Sequence, residues 1–305
     1  MPGPGLLSDG WFREECPLWP GQGQGLKVQE VLHDAPTDYQ HLTVFESDRA
    51  GPWGTVMTLD GAIQMTDYDE FVYHEMLANI SLCGHPNPEN ILIVGGGDGG
   101  VVREVLRHKK DSHKPGKGTV LTVDLVDIDA AVVEQSKRHF PQIACGLEDP
   151  CVRVTIGDGA AFVEDSIDDS YDVIIVDTTD PDGPASDLFG VEFYRNIMRI
   201  LRPNGIVCNQ CESIWLNLPL ITRIVDFMKN DIGFKMAKYA MIYTPSYPCG
   251  SIGTLVCAKS AETNVMKPLR PVEKLGFSED LRYYSTEVHK AAFALPKFVE
   301  FLNVD

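Results

Sequence analysis

Asn90-Ile91-Leu92-Ile93-Val94 runs directly into Gly95-Gly96-Gly97-Asp98-Gly99-Gly100. The first five residues are nearly all apolar and rich in β-branched side chains, which suits a strand buried on both faces of a parallel sheet. The next six are five glycines and one aspartate, composition for a loop whose backbone comes close to a ligand. They hold G-x-G-x-x-G at Gly95, Gly97 and Gly100, and residues 101–107 then read as a helix. Strand, glycine loop and helix in that order open a doubly wound α/β domain. Taken alone, the motif fits a nicotinamide-dependent oxidoreductase equally well.

The same alternation continues downstream. Residues 120–128, 152–156, 172–176 and 206–210 read as buried strands, and 130–140 and 191–201 as helices between them. Upstream, Tyr73, Met76, Leu77 and Ile80 fall at helical spacing, so 69–83 reads as an amphipathic helix ended by Pro86 and Pro88. Before it, residues 26–32, 40–45, 55–59 and 62–66 mix apolar and polar residues in short runs, and Asp60-Gly61 between the last two is a hairpin signal. The first 25 residues, rich in Gly and Pro with Trp11 and Trp19 among them, read as an arm. The expected organisation is an N-terminal arm over 1–25, a small antiparallel β domain over 26–68, and an α/β domain over 69–305 with a mostly parallel sheet and helices on both faces.

The 305-residue chain carries 26 Lys plus Arg against 44 Asp plus Glu, a net charge of −18 with histidine neutral. That balance opposes nucleic acid and anionic membrane surfaces, and either serves solubility alone or suits a cationic partner. Eight cysteines scattered through a chain this long are no disulfide framework. The lone C-x-x-C of Cys208 and Cys211 lacks the second ligand pair that zinc needs, and it falls in a strand where a redox dithiol opens a helix. Buried thiols in a reducing compartment fit better. The N-terminus shows no secretory pattern and no window approaches a membrane span, so a soluble, cytoplasmic protein without a metal site is expected.

In an open parallel sheet, ligands sit beyond the carboxyl ends of the strands. Four such ends carry carboxylates: Asp98 in the glycine loop, Asp127 with Asp129, Asp158 inside Gly157-Asp158-Gly159, and Asp177 with Asp180. None carries Lys or Arg. A pyrophosphate on the loop would meet Asp98, and like charges about 4 Å apart repel by several kcal/mol at an intermediate dielectric. A nucleoside bearing a cation, such as a sulfonium, has no such conflict. Each residue also has a plainer reading: Asp98 and Asp158 as turn formers, Asp127 as a helix cap, Asp177 as a solvated sheet end, Tyr73 as core.

At these residues the chain resembles the spermidine synthases, which are aminopropyltransferases. The likeness runs through Asp60-Gly61-Ala62-Ile63-Gln64, Asp69-Glu70-Phe71, Tyr73-His74-Glu75-Met76, His85-Pro86-Asn87-Pro88, the glycine loop, Gly157-Asp158-Gly159 and Asp177-Thr178-Thr179-Asp180-Pro181. It closes with Tyr247-Pro248, Gly250, Tyr283-Tyr284-Ser285 and His289-Lys290-Ala291-Ala292-Phe293. The resemblance implies a small β domain before a methyltransferase-like Rossmann domain, a homodimer, and no cofactor beyond the co-substrate, decarboxylated S-adenosylmethionine. Gln40, His74, Gly95, Gly97, Asp98, Asp127, Asp158 and Gly159 would then meet that donor, with Asp98 at the aminopropyl amine, Asp127 at the ribose and Asp158 at the adenine. Tyr73, Asp177, Asp180 and Tyr247, with Gln64 and Gln210 nearby, would hold putrescine, and Asp177 would accept its proton. Some members carry Gln where His74 stands, many carry two serines at Thr178-Thr179, and the basic loop 108–118 is longer than most. Residues 178–189, with two prolines and a glycine, are expected to order over the substrates as a lid. Spermine synthase, putrescine N-methyltransferase and agmatine-using relatives, or an inactive polyamine-binding subunit, remain alternatives on the same scaffold.

Overall fold

The computed structural model describes residues 3–16, 19–109, 119–178 and 190–304. Asp180, all of the expected lid except Thr178, and most of the basic loop lie outside the described residues.

Five strands form an N-terminal antiparallel sheet in sequence order: β1 (Trp11–Glu15), β2 (Gly23–Pro36), β3 (His41–Ser47), β4 (Thr55–Leu59) and β5 (Ala62–Thr66). Asp60 and Gly61 both take positive φ, 49° and 82°, which lets a two-residue turn pair Leu59 with Ala62. Asp60 Oδ1 accepts from His41 N at 2.7 Å, tying the turn to β3. The segment read as an arm differs from that expectation. Trp11–Glu15 is an edge strand paired with β2, because Phe12 alternates inward onto Phe45, Val56 and Ile63.

The second sheet has seven strands. β6 (Asn90–Gly95), β7 (Thr122–Asp127), β8 (Val152–Ile156), β9 (Tyr171–Asp177) and β10 (Leu201–Gln210) are parallel, while β11 (Met236–Ile242) and β12 (Ile252–Ala258) close one edge antiparallel. The order is β11-β12-β10-β9-β6-β7-β8. From β6 the chain first builds to β7 and β8, then returns to β9 on the other side, so the crevice opens between β6 and β9. Gly95 pairs with Asp177 across that crevice. Separate apolar clusters cover the two faces of this sheet. A third joins Leu42, Val44 and Met57 of the small sheet to Val132, Phe140 and Ile143, which seats the β domain beside the carboxyl ends of the strands.

The helices are α1 (Glu70–Gly84), α2 (Gly100–Arg107), α3 (Ala130–His139), α4 (Gly159–Asp165), α5 (Val191–Ile200), α6 (Leu218–Phe227) and α7 (Thr286–Ala292). Helix α1 is not amphipathic in the expected sense: every residue but Phe71 is buried. Its polar residues are paired inside. Glu75 accepts from the backbone N–H groups of Arg282, Tyr283 and Tyr284, and Asn79 bonds His108. Cys208 and Cys211 are buried free thiols, and burial pushes the Cys208 thiol up to about 12.

Candidate active site

A cavity of about 470 Å³ lies at the crevice, between the carboxyl ends of the parallel strands and the small sheet. That volume falls in the range of small-molecule sites. Every expected site residue among the described ones lines it: Gln40, Gln64, Tyr73, His74, Gly95, Gly97, Asp98, Asp127, Asp158, Gly159, Asp177, Gln210 and Tyr247. Glu14, Glu15, Asp60 and Glu212 add further carboxylates, and among the described residues no Lys or Arg reaches the wall. The cavity is built for positive charge.

Asp177 ends β9 at the switch point. Tyr73 on α1 donates its hydroxyl to Asp177 Oδ1 at 2.6 Å. Burial and the nearby charges of Asp98 and Asp127 push the Asp177 carboxyl up, while the Tyr73 hydrogen bond and His74 oppose them, leaving it at about 7. Burial beside Asp177 holds the Tyr73 phenol well above its ordinary range, so it is neutral and a donor. The Tyr247 ring stands 5.7 Å from that of Tyr73, and its hydroxyl donates to the Gln64 carbonyl at 2.7 Å. The Gln64 side chain itself turns back to the Ala62 carbonyl. Asp69 anchors the loop that carries Tyr247, accepting from Ser246 N and Oγ at 2.7 and 2.9 Å.

The glycine loop is shaped by close approach. Gly95 has φ +82°, and a Cβ there would strike the Asp177 carbonyl, which accepts from Gly96 N at 3.0 Å. A Cβ on Gly100 would enter the His74 ring, so that imidazole lies flush beneath the loop. Asp98 Oδ1 accepts from Gly100 N at 2.6 Å, and His74 Nε2 lies 3.4 Å from the same oxygen. Asp127 accepts from Gly97 N and Asp129 N, both at 2.8 Å, and burial raises its carboxyl to about 6 against those two bonds.

The plain and functional readings are therefore not exclusive. Asp98 is a turn residue and also a wall of the cavity. Asp158 caps α4 through Ala160 N at 2.7 Å and lines the cavity too. The cap of α3 belongs to Asp129, not Asp127, and Gln40 reaches Asp129 at 3.0 Å. Sequence reasoning missed Glu14, Trp19, Glu212, Ser213 and Leu216, all of which line the cavity. Glu14 left a signal: it shares the inward face of β1 with Phe12, and a carboxylate on a buried face needs partners, here Ile63 N and Gln24 Nε2.

Comparison with known proteins agrees with this geometry. Residues 70–267 match the spermine/spermidine synthase domain, and residues 10–67 match the spermidine synthase tetramerisation domain. Spermidine synthase 2 of Arabidopsis thaliana is 41% identical over 95% of this chain and 83% of its own length. Spermidine synthase 1 of Pisum sativum is 42% identical over 95% of this chain and 84% of its own. A solved spermidine synthase in complex with the transition state analogue AdoDATO superposes with a TM-score of 0.85 at 31% identity, covering 99% of this chain and 96% of that one. The spermidine synthase of Thermotoga maritima gives 0.83 at 31% identity, with 99% and 95% covered. On a cavity of this character and likeness along nearly its whole length, the chain belongs to the spermine/spermidine synthase family and is an aminopropyltransferase.

Proposed function

We propose that the protein moves the aminopropyl group of decarboxylated S-adenosylmethionine to putrescine, giving spermidine and 5′-methylthioadenosine. The observation that carries this reading is Asp177: a half-buried carboxylate at the switch point, hydrogen-bonded by Tyr73, in a cavity rich in carboxylates and without Lys or Arg among the described residues. A nicotinamide cofactor would set its pyrophosphate against Asp98, and the family match leaves that alternative without support.

The chemistry follows from charge. Putrescine arrives as a dication whose amines hold their protons to about pH 10. Asp177 takes one proton and Tyr73 steadies the resulting pair. The freed amine attacks the methylene next to the sulfonium; the C–N bond forms as the C–S bond breaks, and its electron pair stays on sulfur as a neutral thioether. The sulfonium already activates that carbon, so neither metal nor covalent enzyme intermediate is required, and in-line positioning supplies much of the rate. Tyr247, Gln64 and Gln210 would surround the diamine, with Asp180 a further proposed ligand. Asp98 would hold the donor's ammonium, Asp127 its ribose and Asp158 its adenine, with Gln40, His74, Gly95, Gly97 and Gly159 completing that half. We also propose that copies associate through the N-terminal sheet, as a dimer at least, in keeping with the description of its family model.

Asp177→Asn keeps the shape and removes the base. It should bind the donor with near wild-type affinity and lose at least about 10²-fold in kcat, the usual scale for a general base. A variant with near wild-type kcat at neutral pH removes Asp177 from the mechanism.

A further inference from the structure

His74 has a carboxylate against each ring nitrogen. Nδ1 lies 2.7 Å from Glu70 Oε2, and Nε2 lies 3.4 Å from Asp98 Oδ1. A neutral imidazole would leave one bare lone pair facing a carboxylate; the doubly protonated ring donates to Glu70 through Nδ1 and sets its charge at ion-pair distance from Asp98. The ring is 2% exposed and packed under Gly100, so it has no room to turn away. Behind it, Arg103 on α2 forks onto Glu70 at 2.8 and 3.1 Å. Burial would raise the Glu70 carboxyl, but His74 and Arg103 hold it down at about 2. The charged and titratable groups facing His74 are Glu70 and Tyr73 on its own helix, Asp98 on the glycine loop, Arg103 on α2 and Asp177 at the end of β9. Glu70 itself does not line the main cavity.

We propose that Glu70, backed by Arg103, is a positioning residue for the donor half of the site: it holds His74 as an imidazolium whose Nε2 proton sits at Asp98 in the empty enzyme and is expelled when the donor's ammonium takes that place. This rests on the assignment of Asp98 to the donor's ammonium. The exchange balances without any change at carbon: imidazolium becomes imidazole, one proton goes to solvent, and Asp98 trades one cation for another. Burial lowers the His74 pKa, but Asp98 and Glu70 outweigh it and raise the ring to about 8. The proton is therefore present below pH 8 and lost above it. Donor affinity should strengthen with pH up to about 8, by as much as about tenfold per unit while a whole proton is released, and then level off.

The test is calorimetry of decarboxylated S-adenosylmethionine binding to the full chain at pH 7.5, in two buffers of different protonation enthalpy. Wild type should release roughly three quarters of a proton more than His74→Gln, the fraction of rings protonated at that pH. Glu70→Gln keeps an acceptor for Nδ1 but removes its charge, so its release should fall between the two. Ring resonances of His74 in the empty and donor-bound protein supply the same readout if Glu70→Gln does not fold. Equal release from wild type and His74→Gln, or a ring still protonated with donor bound, overturns the proposal. Asp98→Asn separates the two levels of argument. If it binds donor as tightly as wild type, the underlying assignment of Asp98 fails; if it loses affinity while His74→Gln releases as many protons as wild type, only the roles given to His74 and Glu70 fail.

Discussion

Removing the Tyr73 hydroxyl should move the pH at which the enzyme works. In Tyr73→Phe the ring remains in the apolar cluster around α1, but the 2.6 Å hydrogen bond to Asp177 is gone. A hydrogen bond to a charged group contributes about 1.5–3 kcal/mol, and about 1.4 kcal/mol corresponds to one pKa unit. The bond favours the ionised carboxylate, so its loss raises Asp177 from about 7 by roughly one to two units. Asp177 acts as acceptor only when ionised, so activity falls as pH drops through its pKa. At pH 7.5 the ionised fraction would fall from roughly three quarters to roughly a tenth, an eightfold loss on the scale set by general-base behaviour. The assay is kcat/KM for putrescine at saturating donor, for wild type and variant, from pH 6 to 9.5. The ratio of the two should be widest near pH 6 and narrow steadily from about pH 7 upward as the variant's carboxylate ionises. A ratio that stays constant across the whole range would refute the reasoning, because Tyr73 would then contribute position and nothing to the proton affinity of Asp177.

Asp177→Asn should also be more heat-stable than wild type at pH 8. A carboxyl raised to about 7 by burial binds its proton more tightly folded than unfolded, so stability drains away as pH climbs from about 4 to 7. The charge costs as much as about 4 kcal/mol above that range, and melting curves should show the gap between the two proteins closing at pH 5. Gly100→Ala pushes a methyl group into the His74 ring; overpacking of this kind costs about 1–3 kcal/mol, and donor affinity measured by titration should fall with the melting temperature. A thiol reagent followed by peptide mass mapping should label the exposed Cys145 and Cys249 quickly in the native protein, and Cys208 and Cys211 only after unfolding. Rapid native labelling of Cys208 would contradict its place inside the sheet.

What was legible in the sequence was written locally. The apolar run before Gly95 and the carboxylates at strand ends locate the crevice, because in a parallel sheet the strand end is where the backbone runs out of partners and faces a ligand. Asp60-Gly61 announces its hairpin because few other residue pairs accept two positive φ angles in succession. Long-range features were harder to read. Strands β11 and β12 flank Tyr247-Pro248, yet nothing local says that they return antiparallel to the sheet edge. The helical spacing of Tyr73, Met76, Leu77 and Ile80 marks one apolar face of α1 and says nothing of where Glu70, His74, Glu75 and Asn79 find partners. The partners Arg103, Asp98, the backbone at 282–284 and His108 are 24 or more residues away in sequence. Glu14 was hidden for a similar reason: its strand sits in a stretch whose glycines and prolines suggested an arm.

The measurement that bears most directly on the central claim is the product spectrum of the purified protein. Incubated with decarboxylated S-adenosylmethionine and a panel of amines, it should convert putrescine to spermidine with one 5′-methylthioadenosine released for each. No metal should be needed, no mass should be added to the protein, and Asp177→Asn should lack the activity. Transfer without that stoichiometry, a covalently loaded protein, or full turnover by Asp177→Asn would contradict direct attack by an amine that Asp177 has deprotonated.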